Sequence, residues 1–304
     1  MTAGPGRHLL HVGVHKTGST WLQQCVFPQA RAVAYADPVV GALVANLLHA
    51  DDEDFHADAF RALVADVERR GVRLLISHEG LTGATWADGI SGDRLARRLG
   101  DVIPHADVIV LIRNQAEMLL ALYAQYVNEG GTCALADFLA GDHEGPRLAA
   151  DVLDYDRVVS AYRDAFGERV WVVPYERVRD DPMQFTRELD DRYDLGLDEP
   201  TLRRVNVSLS PTGLRVLRAW NRLFRASPFN PDPAVVSLPG GRRVRNLMQQ
   251  TIDPPLRRLT PNRAIQHGLE LARSHAVAYA QSNVRLAALC DLPLREIGYP
   301  WPAD

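Results

Sequence analysis

No run of 18 consecutive apolar residues occurs anywhere in this 304-residue chain, so a membrane-crossing helix is not expected. The start, Met1-Thr-Ala-Gly-Pro-Gly-Arg-His8, lacks the basic region, apolar stretch and small-residue site that together mark a secretory leader. Both absences predict a cytoplasmic protein with no membrane partner. Cysteine is scarce. Cys25, Cys133 and Cys290 are odd in number and far apart, with no C-x-x-C spacing and no His/Cys cluster suited to zinc, which argues against a disulfide framework and a structural metal. An excess of positive charge is also lacking. At a formal net charge of −4 there is no global field to draw in nucleic acid, and a polyanionic partner would need a local basic patch. Gly240-Gly-Arg-Arg-Val-Arg245 and Arg257-Arg258 are two such runs, each equally readable as a solvated face. No internal repeat or low-complexity tract is present.

What the chain does have is a sizeable hydrophobic content, 46%, enough for a core that folds without a partner. Strand patterns near 8–14, 72–77, 107–112 and 169–174 alternate with helical ones near 19–26, 57–70, 92–99, 115–128, 156–166 and 183–192. That alternation predicts an α/β fold in three layers, a central parallel sheet flanked by helices. After residue 200 the text changes to helical segments at 210–225 and 264–289 around a Pro/Gly/Arg-rich span, 227–261. That span reads as a surface loop or lid, so the expectation is one domain over 1–304 with a helical C-terminal part.

The most informative segment is His11-Val-Gly-Val-His-Lys-Thr-Gly-Ser-Thr-Trp21. Leu9, Leu10, Val12 and Val14 read as a short buried strand, and Trp21-Leu-Gln-Gln-Cys-Val26 as the beginning of a helix. Between them lies a small-residue turn with one lysine and three hydroxyls. At a helix start, unpaired backbone N–H groups attract an anion, Gly18 lets the backbone approach it, and Lys16 adds a point charge. Thr17, Ser19 and Thr20 can donate further bonds. A helix start needs only one Ser or Thr cap, so a purely structural turn leaves the other hydroxyls and the lysine without a purpose. The order is not that of a Walker A loop, G-x-x-x-x-G-K-[ST], because here the lysine comes before the glycine.

Two further strands end in polar residues. Ala106-Asp-Val-Ile-Val-Leu-Ile-Arg113 places Arg113 at a carboxyl edge, where ligands bind in open α/β sheets and where a planar guanidinium can grip phosphate. Val72-Arg-Leu-Leu-Ile-Ser-His-Glu-Gly-Leu81 ends on two candidate bases side by side, His78 and Glu79. Trp86, in the loop Gly80 to Gly92 that follows, is a candidate contact for a second substrate.

Lys16-Thr17-Gly18-Ser19-Thr20-Trp21 resembles the 5′-phosphosulfate loop of sulfotransferases that use 3′-phosphoadenosine 5′-phosphosulfate (PAPS). The resemblance extends through Arg113, through Arg169-Val-Trp-Val-Val-Pro-Tyr-Glu-Arg-Val178, and more weakly through Asn206-Val-Ser-Leu-Ser-Pro211, Ser282-Asn-Val-Arg-Leu286 and Gly298-Tyr-Pro300. It implies a P-loop-like sulfotransferase fold, a soluble bacterial enzyme, PAPS as co-substrate, 3′-phosphoadenosine 5′-phosphate (PAP) as product and no metal. His15, Lys16, Thr17, Gly18, Ser19, Thr20, Trp21, Arg113 and Tyr175 would bind the nucleotide, with Lys16 also catalytic. Either His78 or Glu79 would deprotonate a hydroxyl or amine of a small-molecule or glycan acceptor, and the strand-to-histidine pattern favours His78. One departure stands out. Arg113 begins the family's 3′-phosphate motif, and the serine expected eight residues later is Ala121 here. Its loss removes a hydrogen bond to a charged group, about 1–3 kcal/mol, which weakens nucleotide binding without abolishing it. A P-loop nucleotide kinase and a sulfotransferase-like protein that binds nucleotide without turnover are the alternatives. Neither the acceptor's identity nor the oligomeric state can be read from these residues.

Overall fold

The structure is a computed structural model and describes residues 7–35, 38–86, 89–143, 145–149, 151–197, 209–231, 233–235 and 247–303. The basic run at 240–245, most of Asn206-Val-Ser-Leu-Ser-Pro211 and the centre of the 227–261 span lie outside the described residues. The chain falls into two compact units, each assembled from three segments. The first comprises 1–114, 149–205 and 282–294, the second 115–148, 206–281 and 295–304.

Among the described residues the first unit holds a five-stranded sheet of β1 (Leu9–Gly13), β2 (Val33–Tyr35), β3 (Arg73–Ser77), β4 (Asp107–Ile112) and β5 (Val170–Pro174). Its order is β2-β3-β1-β4-β5, with every pair parallel. The expected α/β sheet covered by helices is what forms. Parallel strands must be buried on both faces, and β4 shows why the sequence permits this: from Val108 to Ile112 every side chain is apolar and buried. Successive side chains alternate between faces. Leu9, Ile109, Leu111 and Val173 join Leu22, Phe27, Phe185 and Leu189 in one core, while their neighbours Leu10, Val12, Val108, Val110 and Val172 are equally buried on the opposite side.

The register sets the functional edge. Gly13 pairs with Leu111 on one side of β1, and His11 pairs with Ser77 on the other. Chain order reverses direction across β1, with β2 and β3 to one side and β4 and β5 to the other. The carboxyl ends of β1 and β4 therefore form the topological switch point at which open α/β sheets bind ligands. The turns after β1, β3, β4 and β5 carry Lys16, His78, Arg113 and Tyr175 in that order.

The second unit is helical. Among the described residues its members include the helices Gln115–Asn128, Leu135–Ala140, Pro211–Phe224, Asp253–Arg258 and Asn262–Ala276. Met118, Leu119, Leu122 and Tyr126 of the first of these are buried, as their helical spacing predicts. Buried Asn221 donates from Nδ2 to the Val127 and Gly131 carbonyls at 2.7 and 3.0 Å, fastening the helix Pro211–Phe224 to the end of Gln115–Asn128. Asp253 accepts the Ser210 N–H and hydroxyl, which anchors the first turn of the helix Pro211–Phe224. Ala121, the departure from the serine pattern, is half-buried on the helix Gln115–Asn128. No helix among the described residues is long and apolar enough to cross a membrane.

Candidate active site

After β1 the chain keeps pairing for one more residue, with Val14 N–H donating to the Leu111 carbonyl at 3.2 Å, and then turns sharply. Two residues of the turn are left-handed, Lys16 at φ 67° and Gly18 at φ 83°. A lysine in this region costs about 1–2 kcal/mol, a strain that proteins retain chiefly at functional sites. Gly18 is required twice over. Its φ favours glycine, and a Cβ there would lie 2.9 Å from Cε2 of Tyr175. The Gly18 carbonyl accepts the Trp21 and Leu22 N–H groups, which starts α1 (Ser19–Trp21) and the π-helical turn Leu22–Val26 that continues it.

The loop residues do not share one role. Lys16 is exposed, and it is the only lysine in the chain beside 33 arginines, a compositional signal that points to this position without any motif. Thr17 is fully buried and its hydroxyl donates to the Val14 carbonyl at 2.6 Å. That hydroxyl is spent on closing the turn, so the expectation that it serves a ligand is corrected; only the Thr17 backbone N–H remains for that task. Ser19 is buried as well, while Thr20 and Trp21 are half-buried.

Arg113 comes to the loop from β4. Its Nη1 donates to the Lys16 carbonyl at 3.1 Å, and its guanidinium lies 5.1 Å from the centre of the Tyr175 ring, within cation–π range. Two residues that sequence reasoning missed hold its backbone. The Tyr155 hydroxyl donates to the Arg113 carbonyl at 2.8 Å, and the Glu176 carboxylate accepts the Asn114 N–H at 2.9 Å. Lys16, Gly18, Arg113 and Tyr175 thus form one contact group.

On the other side of β1, His78 caps the short 3₁₀ turn Glu79–Thr82. Its Nδ1 accepts the Gly80 N–H at 2.9 Å, and its own N–H donates to the His11 carbonyl at 3.2 Å. Burial holds the His78 imidazole below its ordinary pKa; the Glu79 charge opposes this and His49 adds to it. Burial likewise lowers His15, with Glu79 again opposing and Lys16 and His78 reinforcing. His15, Lys16, His78 and Glu79 are therefore electrostatic neighbours, and both histidines are neutral near pH 7. The loop after this turn is closed by an antiparallel bridge between Gly83 and Ser91; Trp86 lies in it, and 87–88 fall outside the described residues. Among the described residues no cluster of three or more His, Cys, Asp or Glu is arranged to hold a metal ion.

His11, on β1 beneath the loop, is fully buried, and burial pushes its pKa down to about 3. A folded-state pKa depressed from 6.5 means that the unfolded chain binds the extra proton between those values, so stability is intact above about pH 6.5 and falls as the pH drops toward 3. The full loss is roughly 5 kcal/mol at the lower end. Urea melts from pH 7 to pH 4 should show the unfolding free energy falling by a few kcal/mol. His11→Gln should remove much of that slope, and an unchanged slope would show that His11 is not the group responsible.

No protein-family model matches the chain, and no curated protein matches it. Solved structures do. A sulfotransferase from Alicyclobacillus acidocaldarius aligns with a TM-score of 0.53 over 95% of this chain and 98% of its own, at 17% identity. The sulfotransferase domain of the Synechococcus PCC 7002 olefin synthase aligns with a TM-score of 0.42 over 78% of this chain and 90% of its own, at 13% identity. With its five parallel strands, its helices on both faces and near-complete coverage of the first of these structures, the chain has the sulfotransferase fold.

Proposed function

We propose that the chain is a PAPS-dependent sulfotransferase that moves a sulfuryl group to a hydroxyl or amine of a small-molecule or glycan acceptor in the cytoplasm. The observation that carries this reading is the turn after β1, in which left-handed Lys16 and Gly18 begin a helix beside Arg113 and Tyr175 at the switch point of the sheet. Backbone N–H groups of residues 17–20 suit a 5′-phosphate. Tyr175 offers a flat face for the nucleotide, and Arg113 a fork of donors for a second phosphate.

In the proposed chemistry the acceptor oxygen attacks sulfur in line, the bond from sulfur to the bridging phosphate oxygen breaks, and PAP departs with the electron pair. Lys16 stabilises the charge that develops on the leaving oxygen. Glu79 takes the acceptor's proton. This assignment reverses the preference for His78 drawn from the sequence, because the Nδ1 lone pair of His78 already accepts the Gly80 N–H. A neutral imidazole so bonded carries its proton on Nε2 and can donate there but not accept. His78 then serves as a hydrogen-bond donor to the acceptor oxygen, held in orientation by the turn it caps.

Isothermal titration with PAP, 5′-AMP and ATP in the absence of magnesium tests the reading. PAP should bind with micromolar affinity and well ahead of ATP, and Arg113→Ala should weaken PAP about 10–100-fold. If the variant weakens PAP and 5′-AMP equally, Arg113 acts by holding the Lys16 carbonyl and not by gripping the 3′-phosphate. ATP binding equal to or tighter than PAP would overturn the sulfotransferase reading in favour of a kinase.

A further inference from the structure

The charge of this chain is unevenly placed. Residues 206–281 carry eleven arginines against three acids, Asp232, Asp253 and Glu270, a net charge of +8 within a chain whose net charge is −4. Asp253 is buried, and its carboxylate is taken up by Ser210 and Arg257. Apolar exposure is concentrated in the same stretch. Of the eight large apolar side chains exposed among the described residues, seven belong to it.

The helix Pro211–Phe224 shows how these residues are arranged. Thr212, Val216, Ala219 and Leu223 recur at three- and four-residue spacing and so share one face, on which Val216, Ala219 and Leu223 are exposed. Arg215 and Arg222, both exposed, border that face along one side. At the start of the helix the Thr212 hydroxyl meets that of Thr260 at 2.9 Å, which brings the neighbouring Leu259, 74% exposed, beside the same face. At its end the Val235 N–H donates to the Leu223 carbonyl at 3.0 Å, which sets Val235, 63% exposed, next to Leu223. A row of apolar side chains thus runs the length of the helix, about 20 Å, from one loop tip to another. Arg258 and Arg263 lie on either side of Leu259 in the chain and are exposed. Among the described residues none of Arg215, Arg222, Arg258 and Arg263 forms an ion pair.

We propose that this face of the helical unit rests on an anionic lipid bilayer, with Leu259, Val216, Leu223 and Val235 in the boundary between headgroups and acyl chains and the four arginines on the lipid phosphates. Each half of the pattern excludes another occupant. A soluble polyanion would be held by the arginines and would leave the apolar row in water. A second copy of the chain would set arginines against arginines. A bilayer satisfies both halves, since apolar side chains enter the interface while long arginine side chains reach along it to phosphate. The lack of a spanning helix bears on crossing a membrane and not on lying against one, so the expectation of no membrane partner holds only for crossing. The inference goes beyond the sulfotransferase reading and does not depend on it.

Sedimentation of the intact chain with vesicles tests the proposal. It should pellet with vesicles of phosphatidylcholine containing about 30% phosphatidylserine, and bind about tenfold more weakly to phosphatidylcholine alone, with affinity falling as salt rises. Leu259→Ser and Leu223→Ser should each weaken binding to the anionic vesicles about tenfold, and Arg258→Gln and Arg263→Gln about fivefold each. These side chains are exposed, and circular dichroism checks that every variant folds. Arg187→Gln, at an exposed arginine of the first unit, should leave binding unchanged. An intact chain that stays in the supernatant overturns the proposal. Vesicle binding that both serine variants retain in full also overturns it, and assigns the surface to a soluble polyanion. Arg187→Gln weakening binding as much as Arg258→Gln overturns it too, because attraction would then belong to charge anywhere on the chain. A dimer that Leu223→Ser converts to monomer in analytical ultracentrifugation, with no vesicle binding by the intact chain, gives the face to a second copy instead.

Discussion

Glu79→Gln should lower the rate of sulfuryl transfer by about 10²–10⁴ while leaving PAP affinity within about twofold, since the side chain keeps its shape and loses only the ability to take a proton. Release of PAP from PAPS reads the effect with any hydroxyl acceptor that a screen of phenols and sugars returns, and with water as the acceptor of last resort. His78→Asn should cost less, about tenfold, because a general base remains and only a donor is lost. The contrast rests on one bond, the Gly80 N–H given to His78 Nδ1, which leaves the imidazole with a proton where a base would need a lone pair. If His78→Asn abolishes transfer and Glu79→Gln does not, the roles are the other way round and the histidine must release its cap during the reaction.

The sheet was legible wherever strands are long and buried on both faces. β1, β3, β4 and β5 all fall within the apolar runs that the sequence displays. β2 was not, because Val33-Ala-Tyr35 is too short to show a period. The helix Pro38–His49 was missed as well. Val39, Val40, Val44 and Gly41 are poor helix formers, and their run shows no polar face; packing in the folded chain overrides that weak propensity. The site divides in the same way. Lys16, His78, Glu79 and Arg113 were legible because a polar residue at the end of an apolar strand is conspicuous in one dimension, and Gly18 because it sits among the hydroxyls of the turn that follows one. His11 reads only as a strand residue until its pairing with Ser77, 66 positions away, is known. Tyr155 and Glu176 support Arg113 and Asn114 from 42 and 62 positions away, and nothing local marks them. Likewise the Thr17 hydroxyl looked available because its acceptor, the Val14 carbonyl, faces it only once the turn has closed.

Lys16→Ala should reduce the transfer rate by about 10²–10³, the effect of removing one preorganised donor from the charge that develops in the transition state. Lys16→Arg should recover little of this. An ammonium is a compact point charge that can follow the breaking bond to the phosphate oxygen, whereas a guanidinium is a wide planar fork that prefers two acceptors in fixed directions. The composition makes the same argument: 33 of the 34 cationic residues are arginine, and the one exception stands on a left-handed backbone at the carboxyl end of the central strand. It also supplies an assay that needs no acceptor. Apart from the terminal amine, an amine-directed acetylating reagent can modify this chain at Lys16 alone. Mass spectrometry should find that acetyl group slowed at least tenfold by saturating PAP and little affected by adenosine, because the 5′-phosphate is what would cover the ammonium. Acetylation that proceeds at the same rate with and without PAP would place the nucleotide away from this loop, and with it the leaving-group role of Lys16 would fall.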